Sequence, residues 1–93
     1  SIQDPQALED LANVIEREGE RELLREAEER VKTRVKAHTW NVYMMTVLQS
    51  REAAETAEEL NLPIADVYVA KSRVLKMLKA EVEKLNRTGA GAS

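Results

Sequence analysis

Side chains able to do chemistry are few in this sequence, and they do not converge. His38 is the only histidine and there is no cysteine. The residues three and four before His38 are Val35 and Arg34, so no helical metal-ligand pair forms around it. Without cysteine, thiolate zinc sites, cysteine nucleophiles and disulfide frameworks drop out together. The glutamates from Glu20 to Glu29 lie all round a helix, and no Glu-x-x-His unit accompanies them. Nor is there a glycine-rich phosphate loop or a converging acid/base pair. The expectation is a chain that is not an enzyme, with no catalytic residue, no metal, no cofactor and no small-molecule substrate. What is left to work with is charge and shape: Lys71, Arg73, Lys76 and Lys79 for phosphates, and Trp40, Tyr43 and Tyr68 for stacking. Trp40 and Tyr43, three apart in an apolar stretch, read first as core.

Whatever these residues do, helices must position them. Glu, Ala, Leu, Lys and Arg dominate, and alternation of the strand kind is nowhere sustained, so the fold class is all-α. A first helix is expected from Pro5 to about Arg17, with Asp4 as N-cap and Leu8, Leu11, Ala12 and Ile15 as its apolar stripe. Gly19 ends or loosens it. A second, from about Glu20 to Lys36, carries a seam of Leu24, Ala27, Val31 and Val35. Favourable pairs four apart, Glu26 with Arg30 and Glu28 with Lys32, lace its surface. Thr39 is a plausible N-cap for the most apolar stretch, Trp40 to Leu48, which is expected at the centre of the core and against the seam of the second helix. The Met44-Met45 pair reads as core filler.

Two further helices complete the pattern. Ser50 is the expected cap of a short one, Glu52 to Leu60, with Ala53, Ala54, Ala57 and Leu60 available for packing. Asn61 suits a left-handed turn, and Pro63 opens a last helix running to about Leu85. Its stripe is Ile64, Val67, Ala70, Val74, Leu75, Leu78, Val82 and Leu85. A short helix with a small alanine inside, a tight turn and a longer basic helix form the sequence shape of a helix-turn-helix. At 100° per residue from Val67, Ala65, Val69, Ser72 and Lys76 point away from the core, Arg73 lies to one side, and Asp66 and Tyr68 flank them. Lys71 falls near the buried edge, where its stem can snorkel. Lys76, Lys79 and Arg73 are placed where phosphates pass, and the start of the short helix, with Ser50 and Arg51, is a second phosphate-contact candidate.

Charge agrees with this polarity. The chain of 93 residues is net −3, yet residues 1–62 hold 14 acidic and 8 basic side chains while residues 64–93 hold 3 acidic and 6 basic. So few basic residues imply weak isolated DNA binding, about 10⁻⁴ to 10⁻⁶ M.

Trp40 to Leu48, the run Ser50-Arg51-Glu52-Ala53-Ala54-Glu55-Thr56-Ala57-Glu58-Glu59-Leu60-Asn61-Leu62, and Val67-Tyr68-Val69-Ala70-Lys71-Ser72-Arg73-Val74-Leu75 together resemble region 4 of bacterial sigma factors. They are most similar to the extracytoplasmic function group of the sigma-70 family, over about Thr39 to Leu85. The resemblance implies recognition of the promoter −35 element in transcription initiation, with promoter DNA, core RNA polymerase and an anti-sigma factor as partners. It puts base-reading positions on Tyr68, Val69, Ser72 and Arg73 and phosphate contacts on Ser50 and Arg51. The polymerase-facing surface would lie around Trp40 to Leu48 and the preceding charged helix. Asn61 stands where the family commonly has glycine and Pro63 where it has serine; arginine forks for direct base readout are thin here.

The organisation expected is a charged helical segment over residues 1–37 leading into a helix-turn-helix domain over 38–87, with 88–93 as a tail. No apolar run approaches the ~20 residues a bilayer span needs, and no signal-peptide pattern is present, so the expected place is the cytoplasm, with no membrane partner. Two other readings stand beside promoter recognition. One is a helix-turn-helix output domain of a dimeric transcriptional regulator. The other is an interaction module that docks polymerase or an anti-sigma factor and scarcely touches DNA.

Overall fold

A computed structural model describes residues 5–18 and 21–87 of the chain. The expected Asp4 cap, the Gly19 break and the tail from residue 88 lie outside the described residues. Among those described, every regular element is helical: α1 (Pro5–Glu18), α2 (Arg21–Lys32), α3 (Ala37–Tyr43) continuing into a π-helical turn (Met44–Leu48), α4 (Ala53–Leu60) and α5 (Ile64–Arg87). At 1.5 Å per residue α5 is about 36 Å long, most of the molecule's 43 Å long axis. The other helices pack along it.

The larger core is built on the C-terminal half of α5. Val74, Leu75, Leu78, Val82 and Leu85 meet Ala7, Leu11 and Val14 of α1, Leu23, Ala27 and Val31 of α2, and Trp40 and Tyr43 of α3. A smaller cluster at the other end joins Val42, Ala57, Val67 and Ala70, with Ala53, Leu60 and Leu62 against it. Apolar spacing of three and four explains both, since it keeps one side of each helix continuously greasy. The helices before residue 38 thus bury their stripes on the same helix as the rest of the chain.

Several local expectations are corrected. In α1 the buried stripe is Ala7, Leu11 and Val14, with Ile15 half-buried; Ala12 is exposed and Leu8 keeps 41% of its surface in water. The helix is rotated by about one residue from the expected stripe, which brings Val14 rather than Leu8 onto the α5 core. In α2 the helix stops at Lys32, where residues 33–35 turn the chain, and its most buried residues are Leu23, Ala27 and Val31, with Leu24 and Val35 half-buried. Its seam packs chiefly on α5 rather than on the Trp40 helix. The nearer link to α3 is polar: the Tyr43 hydroxyl donates to a Glu28 carboxylate oxygen at 2.7 Å, so Glu28 is used there. Thr39 does not cap. Helix α3 begins three residues earlier, with Lys36 in the cap position, and Thr39 is buried inside it.

Trp40 and Tyr43 are core, their ring centroids 4.9 Å apart, with half-buried Met44 against their cluster; Met45 is buried. Leu48 is not: the stretch opens from α to π geometry at Met44, and Leu48 ends 54% exposed. The widened turn closes through Gln49 N–H to Met44 O at 2.9 Å and Arg51 N–H to Met45 O at 2.8 Å. Ser50 sits between them at φ 54°.

Candidate nucleic-acid interface

The unit that could present side chains to a duplex is α4, the link Asn61-Leu62-Pro63 and the first half of α5. Asn61 adopts φ 57°, ψ 47°, the left-handed conformation its type tolerates. Its N–H bonds Glu58 O at 3.3 Å and the Leu62 N–H bonds Ala57 O at 2.9 Å, the paired closure of a Schellman motif. Leu62 then folds back onto Ala57, the hydrophobic contact that accompanies such a closure. Ala57 and Val67 lie where α4 meets α5, and Val67 is fully buried. The Pro63 carbonyl accepts from Asp66 and Val67, so proline precedes the first turn of α5 instead of standing inside it. Ile64, expected in the stripe, stays 41% exposed at that end.

With the inner side fixed, the outer side follows from helical geometry. Asp66, Val69, Arg73 and Lys76 are exposed, Val69 by 53%; Ala65, Tyr68, Ser72 and Lys79 are half-buried, as is Lys71. Ala65, Val69, Arg73 and Lys76 therefore run along one side of α5. Of the four basic side chains, Arg73 and Lys76 stand furthest out. Lys76 and Lys79 also line a groove of about 300 Å³ between α5 and α1, with Ala80 and Glu83 on one wall and Ala7 and Asp10 on the other. Asp66 brings a negative charge to the first turn of α5, where the helix dipole favours it.

The expected phosphate contact before α4 is built differently. Glu52, not Ser50, occupies the N-cap position, and neither its side chain nor the exposed Ser50 supplies a cap there. The reason is the left-handed backbone at Ser50, which ends the π turn rather than starting α4. Arg51 does not face outward with open valences. Its Nε donates to Glu55 Oε1 at 3.2 Å and its Nη2 to Glu59 Oε1 at 2.7 Å, clasping the acidic surface of α4. Those contacts raise the guanidinium's affinity for its proton and hold the Glu59 carboxyl below the usual range. His38 is exposed at the start of α3.

Sequence reasoning missed one constellation. Glu81 of α5 is only 4% exposed, and its two oxygens accept from Arg30 Nη1 at 3.3 Å and Arg34 Nη2 at 3.1 Å. Arg30 also pairs with Glu26 as expected, at 3.2 Å. The signal was present: Glu81 stands three after Leu78 and four before Leu85, a charged residue in phase with the apolar stripe, while two arginines lie four apart at the end of the second helix. Among the described residues no group of three His, Cys, Asp or Glu side chains is placed to hold a metal ion, and no helix is long and apolar enough to cross a membrane. No protein-family model, curated protein or solved structure matches the chain, so the site is read from its own geometry and charge.

Proposed function

We propose that α4, the Asn61 turn and α5 form a helix-turn-helix that binds duplex DNA, and that the chain recognises a promoter −35 element as region 4 of a sigma factor of the extracytoplasmic function group does. The observation that carries this reading is the outer side of α5, where Val69, Arg73 and Lys76 stand exposed while Val67 and Ala70 on the opposite side are locked to α4. A helix held on one side with exposed residues on the other is what a major groove about 12 Å wide accepts. In this reading Ala65, Asp66, Tyr68, Val69 and Ser72 meet base edges and sugars, and Arg73, Lys76 and Lys79 neutralise phosphates. Tyr68 and Ser72 are half-buried on this side. Core RNA polymerase and an anti-sigma factor are the protein partners proposed with it, in the cytoplasm, and the role is recognition without catalysis.

A second reading is favoured by a specific contact. Arg51 is spent on Glu55 and Glu59, and the surface of α4 beside it is acidic, which suits a basic protein partner better than phosphate. Selection of duplexes from a random pool at stated salt separates the two. The DNA-binding reading expects an enriched consensus. It also expects Arg73→Ala with Lys76→Ala to weaken binding by about tenfold or more and to flatten the slope of log K against log salt by about 2. No consensus, with polymerase binding retained, transfers the proposal to the interaction module. An unchanged salt slope removes the assignment of this side of α5.

A further inference from the structure

The groove that Lys76 and Lys79 line is closed on its far side by α1, through Ala7 and Asp10. On the reading above these lysines are phosphate ligands, and an acidic helix beside them competes with DNA for the same positive potential. Asp10 is the acidic side chain that α1 brings to this groove. We propose that α1 is an autoinhibitory clasp: docked on α5 it lowers the affinity of this surface for duplex DNA, and its release raises it. The inference rests on the DNA-binding reading.

Two observations set α1 apart from α2. Its attachment is apolar, through Ala7, Leu11 and Val14 with half-buried Ile15, while Leu8 and Ala12 are exposed. By contrast α2 is pinned to α5 by Arg30 and Arg34 on Glu81 and to α3 by the bond from Tyr43 to Glu28. A helix of 14 residues has little stability without its packing, so undocking and unwinding of α1 would coincide. A segment that opens locally is the kind a ligand can displace, and displacement couples the two sites reciprocally.

Reciprocity gives the test. Hydrogen exchange of amides 8–16 is followed in the unaltered chain with and without a 20-base-pair duplex of mixed sequence at low salt, and binding is read by anisotropy on the same samples. The clasp expects exchange in α1 to quicken several-fold when DNA is bound while amides of α5 stay protected. It also expects Leu11→Glu, which expels the α1 stripe, to bind the duplex about tenfold more tightly than the parent. Should the duplex bind and α1 exchange slow or stay the same, the clasp is refuted and the DNA-binding reading stands. Should no duplex bind to parent or variant at low salt, both fall. If Leu11→Glu loses its overall helicity, the exchange result in the parent decides.

Discussion

Two residues other than glycine hold positive φ among those described, Ser50 at 54° and Asn61 at 57°, and they bracket α4. The left-handed region costs an ordinary L-residue about 1–2 kcal/mol relative to the right-handed one. Asparagine relieves part of that penalty; serine has less means of doing so. Glycine removes it, but loses about 0.5–1 kcal/mol more backbone entropy on folding. At Ser50 the two figures leave a net gain, so Ser50→Gly is expected to stabilise the domain by about 0.5–1 kcal/mol. At Asn61 they nearly cancel, so Asn61→Gly is expected to be close to neutral while Asn61→Ala costs about 1 kcal/mol.

Ser50→Ala carries the sharpest contrast. Were the hydroxyl an N-cap, its removal would cost about 1 kcal/mol. With Glu52 in the cap position and Ser50 exposed at the end of the π turn, alanine should change almost nothing. Thermal unfolding followed by circular dichroism at 222 nm reads all four variants, and about 1 kcal/mol corresponds to a shift of about 4–8 °C in Tm for a domain of this size. A Ser50→Gly variant less stable than the parent, together with a loss in Ser50→Ala, would refute the left-handed assignment and restore the capping one. Asn61→Ala as stable as the parent would refute the Schellman closure on which the angle between α4 and α5 depends.

Two further perturbations probe the packing beneath the proposed interface. Burial first, and then the hydrogen bond to Glu28 and its charge, push the Tyr43 phenol well above its ordinary range. The unfolded chain releases that proton near pH 10 while the folded chain keeps it, so this contribution to stability is complete below about pH 10 and is lost as pH rises beyond it. Unfolding at pH 8 and pH 11 should therefore show a smaller loss in Tyr43→Phe than in the parent, and equal losses would contradict the assignment. Around Glu81 the order of damage is informative: Arg30→Ala with Arg34→Ala strands a buried carboxylate, whereas Glu81→Gln leaves two arginines that water already reaches. The double arginine variant should melt lower than Glu81→Gln, and the reverse order would mean that the arginines do not satisfy the carboxylate.

The last helix was the most legible part of the chain, because eight apolar positions over more than five turns fix its phase, and seven of them, Val67 to Leu85, are buried. The turn at Asn61 was legible for the same kind of reason, a local conformation that few residue types accept. Less could be read where two phases compete. In α1 both Leu8 and Val14 are apolar, and only the shape of α5 decides that Val14 goes in. The caps at Thr39 and Ser50 were misplaced because a hydroxyl residue before an apolar run is a common arrangement with several outcomes, among them burial, as at Thr39, and the end of a π turn, as at Ser50. The π turn itself has no sequence signature beyond the Thr46 hydroxyl that bonds Val42 O at 2.7 Å. For Arg30, Arg34 and Glu81 the sequence marks each residue as unusual but carries no cue that they pair across so many residues.

The arrangement of charge also constrains how the proposed surface would meet a duplex. Glu52, Glu55, Glu58 and Glu59 are all exposed on or beside α4, and Arg51 is the one basic residue among them. In a helix-turn-helix pose α4 lies across the phosphates that flank the groove, so these carboxylates would oppose approach over a Debye length of about 8–10 Å. By holding Glu55 and Glu59, Arg51 screens two of them, and its role in DNA binding would be to reduce repulsion without touching phosphate. Attraction then falls to Arg73, Lys76 and Lys79, two of which face α1 across the groove. A surface so balanced cannot hold DNA tightly alone. Its selectivity would have to be expressed within a larger assembly that brings the promoter to it, where a few well-placed contacts decide position and the bulk of the affinity comes from elsewhere.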